Sequence, residues 1–563
     1  MSEKRKPLGT LLEERGLIRP QHIKFALQEQ KVTGERMGEV LERMGFVTQF
    51  DVATLVADQE GIKHLDVSRI VPEVDALRLF NKNLCVKNDF LPIKLHKNQI
   101  EVVSAATNLD MLRQTIQRHS SSTKAPILHQ GERHKIQQAI QHYYYFLENP
   151  IEELMEKEIA KATINPDSAQ NLESLLSHMF TLAIRYRTSD IHIRPGPLSI
   201  AVAFRIDGIM HPMFSLNLKL MRLVSTIKMR AKLDLAEQRR PQDGRFSLTV
   251  LDMGYDVRVS TIVTPHGENV VMRILLRDQG AKGLGELGFE PKDVKRLQRL
   301  FNEPFGIVLL TGPTGSGKTT TLYAGIQTQD VLSKNILTVE NPIEYQIASI
   351  RQTEVNVKSG YGFSNAIPHF LRHDPDIIML GEIRDSDTAH TALIAAETGH
   401  VVLSTLHTND VFGTIPRLLS LGVSHVSLAD ALIGVVSQRL VRRLCDNCRE
   451  SYPPTKHDLT YLGQKASELH RGVGCDACNQ TGYIGRVPIY EIWGINQEVS
   501  DSLARGETMD RIIALAKQGD YNDIFSTGVR KVLAGETTVE ELIRVLGYGK
   551  GSIQGKASPS PAP

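Results

Sequence analysis

Several absences narrow the reading before any motif is considered. No uninterrupted apolar run approaches the ~20 residues needed to span a bilayer, so membrane association is expected to pass through partners. Cysteine is scarce, five in 563 residues, too few for a disulfide scaffold. Neither sign of charge dominates: 66 Lys and Arg against 64 Asp and Glu leave +2, which makes no case for a nucleic-acid partner. The start, Met1-Ser-Glu-Lys-Arg-Lys6, is charged and leads into no apolar signal core. A hydrophobic content of 41% and a charged content of 23% suit a soluble globular protein of about three to four domains. The cytoplasm is the expected compartment.

What is present is organised around Gly306 to Thr320. Ile307 to Leu310 reads as a buried parallel strand that empties into Gly312-Pro313-Thr314-Gly315-Ser316-Gly317-Lys318-Thr319-Thr320, a Walker A pattern. The glycines let backbone N–H groups converge on phosphate, Lys318 brings a positive charge to the β/γ-phosphates, and Thr319 offers a hydroxyl to magnesium. ATP and magnesium are the implied ligands. Two acids four apart, Glu340 and Glu344, close a second apolar strand that begins at Ile336. Glu382 emerges from a third, Ile377 to Leu380, where a carboxylate can hold the magnesium shell or orient water. Glu340 is read as water-orienting and Glu382 as magnesium-linked. Alternation of helix and short apolar strand from Leu284 onward argues for a parallel α/β sheet.

Cys445-x-x-Cys448 and Cys475-x-x-Cys478 stand 26 residues apart, 449–474. Two such knuckles present four thiolates for a structural zinc. Cys85 sits in an apolar context and reads as core, at the head of a strand running to Leu95.

Residues 8–59 repeat at a spacing of 29: Leu8-Gly9 and Met37-Gly38, Gly16 and Gly45, Gln30 and Gln59. Each unit reads as a short helix, a glycine turn and a second helix. Glu148 to Gln170 reads as a hinge, part helix and part loop. Arg258 and Arg273 each lie mid-strand among apolar residues, where an unpaired cation is costly; an internal salt bridge and a phosphate-contacting role both stay open. Lys228, Lys232, Arg239, Arg240 and Arg245 form a basic stretch, either a solvated face or a subunit contact.

Ser189-Asp-Ile-His-Ile193, Arg205-Ile-Asp-Gly208, Pro241-Gln-Asp-Gly-Arg245, the Walker A loop, Gly381-Glu-Ile-Arg-Asp385 and Thr398-Gly-His400 through Leu406-His-Thr408 occur in this order. Together they resemble the type IV pilus assembly and type II secretion ATPases over nearly the whole chain. The first sixty residues resemble the MshE-type cyclic-di-GMP-binding domain, with Leu8, Gly9, Gln30, Arg36, Gly38 and Gln59 as the matching positions. Pro7 replaces the family's first arginine, which weakens the first half-site, because proline cannot pair with phosphate or stack on a base. Asn341 replaces an aspartate of the family.

The resemblance implies an α/β protein: a RecA-like motor domain at 284–548 with a zinc element at 440–485, a PAS-like α+β domain at 171–283, a linker at 147–170, an N-terminal helical repeat at 1–60, an α/β docking part at 61–146 and a disordered tail at 549–563. It further implies a homo-hexamer that turns an inner-membrane platform protein, alongside alignment proteins, at the cytoplasmic side of that membrane. Arg258 and Arg273 would act as arginine fingers and His400 as the γ-phosphate sensor.

Overall fold

The structure, a computed structural model, describes residues 7–97, 99–106, 108–120, 125–277, 282–347 and 349–548. The expected disordered tail, the basic start and the Lys97-Asn98 turn fall wholly or partly outside these. Two compact units are present: Met1–Leu55 together with Ala281–Pro563, and Val56–Gly280.

In the first unit, the helices Leu8–Glu14, Pro20–Thr33 and Met37–Arg43 follow the repeat, and a fourth, Gln49–Glu60, begins there and ends in the second unit. Equivalent positions are buried in both copies: Leu12 and Leu41, Ile18 and Val47, Ala26 and Leu55. Gly16 and Gly45, 29 apart, adopt φ of +70° and +73°, which lets the chain leave each short helix by a left-handed turn. The larger part of the unit is built on an eight-stranded sheet. Its order is Arg351–Glu354, Ile336–Glu340, Ile377–Leu380, Val401–Leu406, Gly306–Thr311, Leu432–Leu444, Tyr483–Gly494 and Tyr521–Asn522. The first six strands are parallel and the last two antiparallel. Gly306–Thr311 and Val401–Leu406 are buried along their entire length, as strands covered on both faces are. Each of the side chains Ile307 to Leu310 is fully enclosed, worth roughly 1.5–3 kcal/mol apiece.

In the second unit, a three-stranded sheet, Phe90–His96, Gln99–Ser104 and Ile127–Gln130, is followed by helices Arg133–Glu148, Ile151–Ile164 and Ala169–Arg185. The strand expected from Cys85 begins at Phe90; Cys85 lies in a helix, Lys82–Lys87, whose start is fixed by the Asn81 side chain accepting from Leu84 N–H at 2.8 Å. The thiol is buried against Tyr144. Most of the expected hinge is the helix Ile151–Ile164, held by buried Ile151, Met155 and Ala162; its spaced apolar positions are few enough to be overlooked among the charges. A six-stranded antiparallel sheet follows, in the order Ile209–Leu216, Ile200–Ile206, Thr188–Pro195, Gly267–Leu276, Met253–Thr264, Gln242–Val250. Lys228, expected in a basic surface stretch, is buried: its ammonium donates to both oxygens of Glu268 at 3.0 Å and to the Glu237 carbonyl at 2.7 Å.

Candidate ATPase site and zinc centre

The loop after Gly306–Thr311 is shaped by Gly312, Gly315 and Gly317, at φ +136°, +77° and +88°. A Cβ on Gly312 would stand 2.4 Å from the Gln438 carbonyl oxygen, so the loop presses against the neighbouring strand. The helix Lys318–Ile326 then begins directly. The Lys318 ammonium donates to the Gly312 and Pro313 carbonyls at 2.8 and 3.2 Å. Burial lowers its pKa and the Glu382 charge opposes that shift. The Ser316 hydroxyl is buried and has no protein partner. A buried orphan hydroxyl inside a curl of N–H groups fits an anionic ligand, so the residues present suit a nucleotide phosphate. Gln438 supports the loop from beneath, accepting from Thr321 Oγ1 at 2.8 Å. It gives no signal in the sequence, being one of several polar residues in the strand Leu432–Leu444.

Glu340 ends its strand, 2% exposed. It accepts from Thr338 Oγ1 at 2.6 Å, from Gln352 Nε2 at 3.1 Å and from the Tyr323 hydroxyl. Burial raises its pKa and those donors hold it back. Tyr323 sits on the helix that follows the phosphate loop and also accepts from Glu344 N–H at 3.4 Å. One phenol thus joins that helix to the segment carrying both acids, a role the sequence reading missed.

Glu382 lies two residues beyond Ile377–Leu380. Its oxygens stand 2.6 Å from Arg384 Nη2 and 3.5 Å from His407 Nε2. The Thr311 hydroxyl accepts from Thr408 N–H at 2.8 Å, pinning the stretch around His407 to the phosphate-loop end of the sheet. His400 is at the other end. The register pairs Gly306 with Val401 and Thr311 with Leu406, and Gly306 N–H donates to the His400 carbonyl. Six residues of strand, roughly 20 Å, separate His400 from the loop, and its ring faces the Ala395 carbonyl at 2.9 Å. His400, expected as the phosphate sensor, therefore lies away from the loop, and the histidine at the loop end is His407. Both histidines lie in one motif, and only the strand between them reveals which is at the loop end of the sheet.

In the second unit, cross-strand pairing brings Arg205, Asp190, Arg273, Arg258 and Arg245 into one transverse row over five strands. Val257, Val259 and Met272 face the core, so strand alternation puts the arginines on the opposite face. Arg273 Nε donates to Asp190 Oδ1 at 2.9 Å, yet half of its side chain is exposed. The row carries four guanidinium groups against one carboxylate.

The four cysteine sulfurs lie within 4.8 Å of one another. The separations are 3.8 Å for Cys445–Cys475, 3.8 Å for Cys448–Cys478 and 3.7 Å for Cys475–Cys478. A tetrahedron with Zn–S of about 2.3 Å has edges of about 3.8 Å, so the set fits zinc. Backbone N–H groups of Cys475 and Gly482 donate to Cys478 Sγ at 3.2 and 3.1 Å; against burial, they favour its thiolate. Gly472 and Gly482 close the knuckles: a Cβ on Gly472 would meet the Gly482 oxygen at 2.2 Å.

In the N-terminal repeat, Leu8 and Gly9 open the first helix and Gly38 is second in its counterpart. Arg36 is the N-cap of the latter, its N–H donating to Glu39 at 3.0 Å. Pro7 takes the equivalent place and, as a proline, has no N–H to donate. Gln30 donates to the Glu35 carbonyl at 2.9 Å, and Gln59 lies near the end of Gln49–Glu60.

Residues 165–544 match the type II/IV secretion system protein family. The chain belongs to that family. This ATPase also matches the MshEN domain over residues 60–149, a stretch that begins at the end of the helical repeat. The type II secretion system protein HxcR of Pseudomonas aeruginosa is 44% identical over 372 residues, 66% of this chain and 76% of that protein. The type IV pilus assembly ATPase PilB of Thermus thermophilus is 36% identical over 533 residues, 92% of this chain and 59% of that protein. In fold, the ATPase DotB of Yersinia pseudotuberculosis is similar at a TM-score of 0.51 and 20% identity, covering 67% of this chain and 94% of that one. The DotB of Legionella pneumophila scores 0.50 at 20% identity, covering 66% and 95%. The chain is thus an ATP hydrolase of the secretion and pilus type. No helix among the described residues is long and apolar enough to cross a membrane.

Proposed function

We propose that this ATPase powers extension of a type IV pilus, as a homo-hexamer at the cytoplasmic side of the inner membrane that turns a platform protein. The supporting observation is coverage: likeness to the Thermus pilus ATPase takes in 92% of this chain, whereas likeness to HxcR takes in 66%. Gly312 to Thr320 hold the triphosphate, with Lys318 on its β/γ-phosphates and Thr319 and Glu382 toward magnesium. Magnesium, when bound, neutralises charge on the phosphates. Glu340 and Glu344 share the acidic segment; Glu340 keeps the water-orienting role, and Tyr323 holds it in place. His407 stands beside Glu382, and Arg258 and Arg273 contact phosphate as the charge on it develops. Cys445, Cys448, Cys475 and Cys478 hold a structural zinc. Cyclic-di-GMP binds the repeat through Leu8, Gly9, Gln30, Arg36, Gly38 and Gln59 and regulates turnover, with Pro7 weakening the first half-site.

A second reading, a type II secretion ATPase, is favoured by the higher identity to HxcR, 44% against 36%. Replacing the chromosomal copy by a Lys318→Ala allele separates the two. Loss of surface pili with exoprotein secretion intact is the expected outcome; loss of secretion with pili intact would establish the second reading.

A further inference from the structure

The N-terminal repeat makes direct contact with the motor within the first unit, and the contacts are spaced like the repeat itself. At the first glycine turn, Arg19 caps the helix Pro20–Thr33. Its Nη1 lies 2.9 Å from Asp330 Oδ2, and His22 Nε2 lies 3.0 Å from Asp330 Oδ1. His22 Nδ1 accepts from Arg19 N–H at 3.2 Å, which makes Nε2 the nitrogen that carries the hydrogen and donates to the carboxylate. Both His22 and Asp330 are largely enclosed, with 8% and 13% of their side chains exposed. The charge-assisted bond is therefore poorly screened by water.

At the second turn, 29 residues on, a Cβ built on Gly45 would stand 3.8 Å from Ser349 Cβ and 2.8 Å from its hydroxyl. Three residues later, the Thr48 methyl is 3.5 Å from the Cβ position of Gly283. The two turns are tied together, because the His22 ring stacks on Phe46 at 4.7 Å and 15°.

The two footholds are not arbitrary parts of the motor. Asp330 is four residues past the end of Lys318–Ile326, the helix that carries the P-loop lysine. Ser349 lies between Glu344 and Gln352, and Gln352 donates to Glu340. We infer that the N-terminal repeat is a clamp whose two glycine turns seat on the exits of the Walker A helix and of the acidic segment, restraining ATP turnover while seated. The inference does not depend on what the repeat binds, nor on whether the machine is a pilus or a secretion system. The binding motif is mechanically connected to the clamp: Gly9 packs on Ile23, next to His22, and Gly38 packs on Leu8.

The test uses the full chain and a Gly45→Cys, Ser349→Cys pair. The 3.8 Å between Cβ positions is the mean for a disulfide. Mild oxidation should form a 45–349 bond detectable by peptide mapping. Magnesium-ATP turnover should fall at least threefold on oxidation and recover on reduction, with the oxidised wild type as control for the other cysteines. Independently, His22→Ala and Asp330→Ala should each raise turnover at least twofold, and the double variant should raise it no further. A bond that leaves turnover unchanged would overturn the clamp, and so would His22 and Asp330 effects that simply multiply, a test that stands even where the left-handed turn at Gly45 keeps the bond from forming.

Discussion

At the scale of single residues, the site turns on which groups can still act once their neighbours are counted. Glu340 is buried and accepts from three side chains. Removing the phenol hydroxyl in Tyr323→Phe takes away one donor to the carboxylate, so its already raised pKa rises further. The acid limb of the kcat profile should move to higher pH, and a variant that only lost packing would show lower kcat with an unmoved limb. His400→Ala should leave kcat within about twofold, whereas His407→Ala should lower it on the order of tenfold or more, since only His407 lies beside Glu382. Away from the site, Glu541 offers a linkage test. Burial works against its carboxylate, but Arg544 and Arg442 outweigh that and bring its pKa down to about 2. The folded value lies below the unfolded one, so this stabilisation is present above pH ~4.3 and is lost as pH falls toward about 2. It amounts to on the order of 3 kcal/mol. Glu541→Gln should lower Tm at pH 7, and the gap to wild type should close on acidification.

At the scale of elements, the P-loop and the tetracysteine knuckles were legible because their chemistry dictates spacing. Gly312→Ala should abolish nucleotide binding without unfolding the sheet, because the added methyl meets the Gln438 carbonyl at 2.4 Å; fluorescent-nucleotide titration with a melting curve checks both halves. Cys475→Ser should cost the chain its zinc by elemental analysis and lower the Tm, as binding of a structural zinc contributes folding energy outright. Less was legible where the decisive fact is three-dimensional. Motif order put His400 and His407 side by side, and the intervening strand sent them to opposite ends of the sheet. Arg258 and Arg273 looked buried among apolar neighbours until alternation placed them on the outer face. Lys228 looked exposed until Glu268, 40 residues away, paired with it. Gln438 and Tyr323 support the site from positions that carry no local pattern.

At the scale of the whole molecule, the chain couples an ATP hydrolase to an N-terminal repeat whose copies bury equivalent residues. Calorimetric titration of cyclic-di-GMP into the full chain should show binding that Arg36→Ala weakens at least tenfold, as loss of a bidentate arginine contact implies; no heat with either protein would remove the second messenger from the account. Hydrolysis itself is the claim on which everything rests. The most direct measurement is magnesium-dependent ATP turnover by the purified full chain beside Lys318→Ala and Glu382→Gln. The account predicts turnover in the wild type that falls by on the order of a hundredfold or more in each variant, with the fold intact by circular dichroism. A Lys318→Ala protein that hydrolyses ATP like the wild type would contradict it.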